Sequence, residues 1–293
     1  MTRFLGIDGG GTGCRAQVAD ISGRICGTAS AGPSNIVSDP DGALHSILQA
    51  AREAAGGEAA LGELHAVLGL AGGNVREAVD RLVARLPFAS VHVVNDGVTA
   101  VKGALGDEDG VMAAIGTGSI FAVQRKGEIR EVGGWGFVLG DEASGAWMGR
   151  RLLAMALRAV DGFLPMTPFL SEVLAEFGGP TQLVGVAPTM RPAEFARLAP
   201  RIVAAGDAGD AAAVAVIRDS VAEVSSTIAL LQDGEHLPVV FLGGLGPLHA
   251  SHLAGRWPQR TALGGSVEGA VFMARRRFED SLSGFVPGGL RHG

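Results

Sequence analysis

Residues 8–13 read DGGGTG (Asp8–Gly13), and the meaning of this short run decides the fold. An apolar stretch, Phe4–Ile7, leads into it, and an alternating stretch, Arg15–Asp20, leads away. That pattern predicts strand, tight turn and strand, with a carboxylate at the mouth of the turn. Three consecutive glycines remove the side chains that would hold an anion away from backbone amides. Glycine also tolerates the positive φ that lets successive N–H groups point into one concavity. Thr12 adds a hydroxyl donor, and Asp8 a carboxylate able to contact a metal. The plain alternative is a glycine-rich hairpin without a ligand, although such turns ordinarily need only one or two glycines.

The theme recurs. Val111–Ile115 is apolar, GTGS follows at Gly116–Ser119, and Ile120–Val123 is apolar again. Two such turns predict two lobes, each offering a hairpin to the same polyphosphate.

Composition supports a compact enzyme. The 293 residues suffice for two domains or one large one, and 47% hydrophobic with 18% charged residues fits a packed interior. Net charge is −6 and no basic stripe is visible, which argues against nucleic acid as partner. Arg275–Arg277 lies at the end of an expected helix, where cations favour the dipole. Cys14 and Cys26 form no C-x-x-C pair and no signal peptide is evident, so a cytoplasmic protein is expected. No apolar stretch reaches the about 18 residues of a membrane span. His249 and His252 share a helical face without an acidic or cysteine neighbour and read as surface residues.

Along the chain, strands are expected at Arg3–Ile7, Arg15–Ala19 and Arg24–Ala29. Asp39 with Pro40 marks a helix start, and the stripe Leu44, Ile47, Leu48, Ala51 makes Pro40–Ala55 amphipathic. A strand at Ala66–Leu70, a helix near Val75–Arg85, a strand at Val91–Val94 and a helix at Val98–Leu105 complete the first set. A second set starts with Val111–Ile115, Ile120–Gln124 and Glu128–Val132. It continues with helices near Ala146–Val160, Pro168–Phe177, Pro192–Ala205 and Ala211–Leu231, a strand at Val239–Leu242 and a helix at Val267–Phe278. The reading is two similar α/β lobes, 1–105 and 106–293, with a cleft between them. The second carries inserted helices near 165–210. The last helix is placed near a hinge, and Ser283–Gly293 is expected to be a loose tail.

Four segments can carry chemistry. Asp96 follows a buried strand and opens a helix, which suits either a helix cap or a general base facing a cleft. Gly133–Gly149 reads GGWGFVLGDEASGAWMG, dense in glycine with Trp135, Asp141 and Glu142. It is either a mobile loop entering a helix or a sugar-recognition loop, in which carboxylates take vicinal hydroxyls and an indole covers a ring. Asn35, after Gly32-Pro33-Ser34, is by itself a turn residue that can add an amide to such a site. Gly243–Gly246, after a buried strand, is equally a short connection ahead of Pro247 or a place where a flat base approaches the backbone. Neither G-x-x-x-x-G-K-S/T nor G-x-G-x-x-G occurs.

These motifs, in this order, resemble the sugar kinase, heat-shock chaperone and actin superfamily. DGGGTG and GTGS look like its two phosphate motifs, VVNDGVTAVKGAL (Val93–Leu105) and SVEGAVFMA (Ser266–Ala274) like its connecting helices, and VVFLGGLG (Val239–Gly246) like its adenosine motif. Within it, GGWGFVLGDEASGAWMG and GPSNIV resemble the BadF/BadG/BcrA/BcrD-type ATPases, and more narrowly their N-acetylglucosamine and glucosamine kinase branch. The resemblance covers about Phe4–Phe278. It implies two ribonuclease H-like, actin-like lobes, each a mixed sheet with flanking helices, and ATP-dependent phosphorylation of a sugar 6-hydroxyl. Asp96 would then be the base. Gly10, Gly11, Thr12, Gly13, Gly116, Thr117 and Gly118 would hold the β- and γ-phosphates, and Asp8 would orient Mg²⁺. Asn35, Asp96, Gly134, Trp135 and Asp141 would meet the amino sugar, and Gly243 and Gly244 the adenosine. A homodimer would use the inserted helices after Gly162. Relatives often carry a basic or hydroxyl residue where this chain has Gly13, and the basic residue here is Arg15.

Two other readings stand beside this one. An activator of a 2-hydroxyacyl-CoA dehydratase would need paired cysteines for a bridging iron–sulfur cluster, and Cys14 and Cys26 lie instead beside the phosphate hairpin. A sugar-responsive, non-enzymatic ATP-binding protein is the other.

Overall fold

The computed structural model describes residues 2–283. Residues 284–293, which include most of the expected loose tail, lie outside the described residues. The described residues divide into two compact units, one from Met1–Glu108 with Ala262–Gly293 and one from Asp109–Thr261.

The first unit begins with three antiparallel strands, β1 (Arg3–Gly9), β2 (Cys14–Asp20) and β3 (Ile25–Ala31). Helix α1 (Pro40–Ala55) follows. Asp39 caps it, its carboxylate accepting the Gly42 N–H at 3.0 Å, and Gly56 ends it with φ 80°. Then come β4 (Leu64–Leu70), α2 (Arg76–Val83), β5 (Ser90–Asn95) and α3 (Asp96–Leu105). The sheet order is β3-β2-β1-β4-β5, with β4 parallel to both β1 and β5. The register aligns Gly9 with Leu70 and Leu70 with Asn95, so three strands end level at their carboxyl ends.

The second unit repeats the opening with β6 (Gly110–Ile115), β7 (Ser119–Arg125) and β8 (Glu128–Gly133). Helices α4 (Gly145–Val160), α5 (Pro168–Glu176), α6 (Pro180–Val186), α7 (Pro192–Ala196), α8 (Ala199–Asp207) and α9 (Ala211–Gln232) precede β9 (Val239–Leu242) and α10 (Gly246–His252). Its sheet has the order β8-β7-β6-β9, the first four positions of the other sheet without a fifth. The inserted helices fall where the sequence places them. The single helix expected over Pro192–Ala205 is two, because Pro200 has no N–H to offer the carbonyl of Ala196, four residues back, where α7 ends. Val111, Ala113 and Ile115 pack with Met148, Leu152, Val216 and Ile228 into this unit's core.

The last helix, α11 (Ser266–Ser283), corrects the expected boundary, which gave all of 106–293 to the second lobe. It packs on β1 and α3 in the first unit. Phe4, Val67, Ala270, Val271 and Ala274 form one buried cluster, and the Phe4 and Phe278 rings meet edge to face at 5.5 Å. A side chain at Gly6 would strike the backbone of Val267 and Val271, and one at Gly269 the backbone of Thr99 and Gly103. Glycine at these crossings lets helix, strand and helix approach at backbone distance. Among the described residues no helix is long and apolar enough to cross a membrane.

Candidate active site

The first hairpin is closed by the Gly10 N–H donating to Gly13 C=O at 2.9 Å. The 32–36 loop clasps it through Ser34 N–H on Gly10 C=O at 2.9 Å, and Ala71, just past β4, donates its N–H to Gly9 C=O at 2.8 Å. None of Gly9, Gly10, Gly11 or Gly13 has positive φ, which corrects the expectation that these glycines serve a left-handed turn. A Cβ on Gly10 or Gly11 would meet nothing within 4 Å. The folded chain by itself therefore gives no steric reason for glycine at either position. Backbone without side chains faces open space there, where a ligand can reach it. The hairpin, with Asp8, Thr12, Arg15 and Ser30, borders a depression of about 460 Å³.

Asp8 and Arg15 are register partners across this hairpin and form an ion pair. The sequence left Arg15 between solvent and phosphate, and the structure gives it Asp8 as partner.

Asp96 opens α3 where β5 ends, level with the hairpin. The structure puts Asn95 at the cap position and Asp96 in the first helical turn. Its Oδ1 accepts the Gly97 N–H at 3.0 Å, and the Thr99 hydroxyl donates to its C=O at 2.9 Å. Burial raises the Asp96 pKa above its ordinary value. The Gly97 hydrogen bond opposes that shift, and the nearby Asp8 charge adds to it. Asn35 lies beside the hairpin, and its Oδ1 accepts Val37 N–H and Ser38 N–H at 3.0 and 3.1 Å. The turn reading of Asn35 thus holds, and its Nδ2 is the part that can meet a ligand.

The second hairpin closes one residue tighter, with Gly116 N–H donating to Gly118 C=O at 2.9 Å, and a Cβ on Gly116 likewise meets open space. The start of α4 grips this turn through Gly145 N–H on Gly116 C=O at 2.8 Å and Ala146 N–H on Thr117 C=O at 3.2 Å. Gly134 N–H donates to Ser119 C=O at 3.1 Å, and the Ser119 hydroxyl to Glu142 C=O at 2.7 Å. A side chain at Gly118 would lie against the Asp141 carboxylate. Asp141, Gly134 and the GTGS turn therefore share one neighbourhood. Asp141 and Ala143 hold φ of 57° and 66°, left-handed values uncommon outside glycine, which marks the loop as locally constrained. Trp135 is 79% exposed, beside Val138 and Leu139 at 82% and 84%.

Gly243 and Gly244, after β9, differ in kind. Gly243 has φ 81°, and any Cβ there would strike the Ile115 backbone, so the fold itself requires it. Gly244 faces open space. Both readings of this turn thus find a residue.

Sequence reasoning missed Ser34, Ser144, Ser220 and His249. Ser144 caps α4, accepting Trp147 N–H at 3.1 Å, and the spacing of a serine ahead of an apolar helix is a signal that could have found it. His249 is corrected from surface to fully buried: its Nε2 lies 3.3 Å from the Ser220 hydroxyl, which donates to Ala143 C=O at 3.2 Å. Burial drives its pKa down to about 4, with the His252 charge acting in the same direction.

The sequence pattern of the BadF/BadG/BcrA/BcrD ATPase family matches residues 5–250. The chain belongs to this family. The family match spans both hairpins, Asp96 and the Gly243–Gly244 turn. Within reach of it, a Vibrio cholerae protein named glucosamine kinase GspK is 34% identical over 238 residues, 79% of this chain and 81% of that protein. A Clostridium acetobutylicum N-acetylmuramic acid/N-acetylglucosamine kinase is 30% identical over 169 residues, 55% of each chain. A Chromobacterium violaceum structure, designated an N-acetylglucosamine kinase by structural genomics, superposes with TM-score 0.79 at 31% identity, over 94% of this chain and 99% of that one.

Proposed function

We propose that the chain is an ATP-dependent kinase that phosphorylates the 6-hydroxyl of an amino sugar, glucosamine or N-acetylglucosamine. The names of its relatives support the substrate class. The observation that carries the chemistry is Asp96. It is a half-buried carboxylate with a raised pKa, level with a glycine hairpin whose exposed backbone the fold does not explain.

In this reading the backbone of Gly10–Gly13 and Gly116–Gly118 holds the β- and γ-phosphates, through the N–H groups that do not close the two turns and the hydroxyls of Thr12 and Thr117. Phosphoryl transfer demands little covalent work from the protein, so positioning and charge neutralisation dominate. Asp96 accepts the proton of the sugar hydroxyl as it attacks the γ-phosphorus. Asn35 Nδ2, Gly134, Trp135 and Asp141 orient the sugar, and Gly243 and Gly244 border adenosine. Asp8 suits Mg²⁺, which binds through one or two carboxylates together with water and substrate phosphates. When bound, Mg²⁺ would neutralise charge on the transferring phosphate.

Both cysteines are free, as a reducing cytoplasm leaves them. Cys14 is buried and its thiol is pushed up to about 11 by that burial, which does not favour the cluster-bridging role of a dehydratase activator. A homodimer in this reading would form through the inserted helices after Gly162.

ADP release with a panel of hexoses and hexosamines tests the reading. The highest kcat/KM is expected for glucosamine or N-acetylglucosamine, and no amino-sugar-stimulated ADP release would contradict it.

A further inference from the structure

Ser220 and His249 are fully buried in the second unit, and the proposed chemistry uses neither. Ser220 lies midway along α9 and His249 on α10. The Ser220 hydroxyl stands 3.2 Å from Ala143 C=O and 3.3 Å from His249 Nε2. A hydroxyl has a single proton, so Ser220 cannot donate to both.

The surroundings decide the direction. Ala143 is fully buried, and among the described residues no backbone N–H bonds to its C=O. Burial keeps the His249 ring neutral, and among the described residues its Nδ1 has no partner. If Ser220 donated to His249, the Ala143 carbonyl would lose its donor and Nδ1 would carry an unpartnered proton. With Nε2–H donating to Ser220 and Ser220 to Ala143, only the Nδ1 lone pair is left over. Buried polar groups are rarely left unpaired, so the second arrangement stands. Two hydrogen bonds thus run from α10 through α9 to the loop.

That loop carries Asp141. Ser144 N–H closes it on Asp141 C=O at 3.1 Å, and the Ser119 hydroxyl holds Glu142 C=O at 2.7 Å. Aspartate tolerates a left-handed φ, but Ala143, at 66°, needs its surroundings to hold it there. Ser220 supplies that hold from the core side.

We propose that Ser220, aimed by His249, is a positioning residue for Asp141: the pair clamps the 141–144 turn so that the carboxylate stands where the sugar meets it. The sugar contact rests on the kinase reading, whereas the clamp on the turn does not.

Ser220→Ala removes the donor. The sugar KM is expected to rise about tenfold, the scale of a lost buried hydrogen bond. The ATP KM should stay within about twofold, because the Gly145 and Ala146 amides still hold the GTGS turn. In an Asp141→Ala background the same substitution should move the sugar KM by less than about twofold, since the carboxylate it acts through is gone. His249→Gln, which keeps a donor, should stay near the parent, and His249→Leu should follow Ser220→Ala. Hydrogen exchange at the Ser144 amide reads the clamp without sugar or ATP, and Ser220→Ala should speed it at least about tenfold. If Ser220→Ala does not fold, Ser220→Cys, similar in size and a weaker donor, takes its place. Parent protein without amino-sugar turnover would contradict the kinase reading; faster exchange in the variant would then still uphold the clamp. Unchanged exchange, equal rises in both KM values, or the same sugar KM rise in the Asp141→Ala background would overturn the proposal.

Discussion

Arg15 lies directly opposite Asp8 in the β1–β2 ladder and closes an ion pair on its carboxylate. Asp8 is also the carboxylate whose charge reaches Asp96. Under the proposed chemistry, Arg15 and Mg²⁺ compete for Asp8. Arg15→Ala is therefore expected to lower the Mg²⁺ concentration giving half-maximal rate, with kcat within about twofold. Because Arg15 is largely exposed, unfolding free energy should change by less than about 1 kcal/mol. Enzyme assays across a Mg²⁺ titration check this, and a higher Mg²⁺ requirement would make Arg15 a phosphate ligand instead.

The glycines separate into two kinds, and alanine tells them apart. Gly11→Ala and Gly116→Ala place a methyl in open space without positive φ, so stability should hold or rise by about 0.5–1 kcal/mol. KM for ATP should nonetheless rise at least about tenfold if phosphates rest on that backbone. Gly243→Ala forces a Cβ into the Ile115 backbone at φ 81° and should destabilise the fold outright. Denaturant melts together with ATP kinetics on the three variants give the comparison.

Asp141 lies against Gly118 while its loop carries the sugar residues of the proposed site. Asp141→Ala is expected to raise the sugar KM far more than the ATP KM. Equal rises would make Asp141 a structural support of the second hairpin.

His249 gives the stability a pH dependence of known sign. Its folded pKa of about 4 lies below the ordinary value of 6.5, so the unfolded chain binds more protons between those limits. Stability should fall as pH drops from 6.5 towards 4, by on the order of 3 kcal/mol for this group when complete. His92 shifts in the same direction, through burial and then Arg277. Denaturant unfolding at pH 7 and pH 5 should show the loss, and His249→Gln should reduce it.

Much of this was legible in the chain. Asp39-Pro40 announced α1 to the residue, and the two glycine turns announced both hairpins. Arg15 and Asp8 are equidistant from the turn centre, so their pairing was readable from register alone. Other features were not. Gly-Pro at 179–180 gives a turn signal, yet Pro180 begins the short helix α6. The burial of His249 depends on Ser220, 29 residues away, and no local pattern carries that contact. The left-handed backbone of Ala143 is not announced by its residue type, whereas Asp141 is of a kind that tolerates it. The placement of α11 on β1 and α3 rests on Gly6 and Gly269, whose spacing along the chain gives no hint of these contacts.

The central claim is that Asp96 takes the proton of the sugar hydroxyl, and Asp96→Asn tests it most directly. Asparagine keeps the shape and removes the base. The account predicts that turnover falls at least about 100-fold while ATP-analogue binding stays within about twofold, and that the acid limb of the parent kcat/KM profile lies above the ordinary carboxylate range. Near-parental turnover by Asp96→Asn would contradict it.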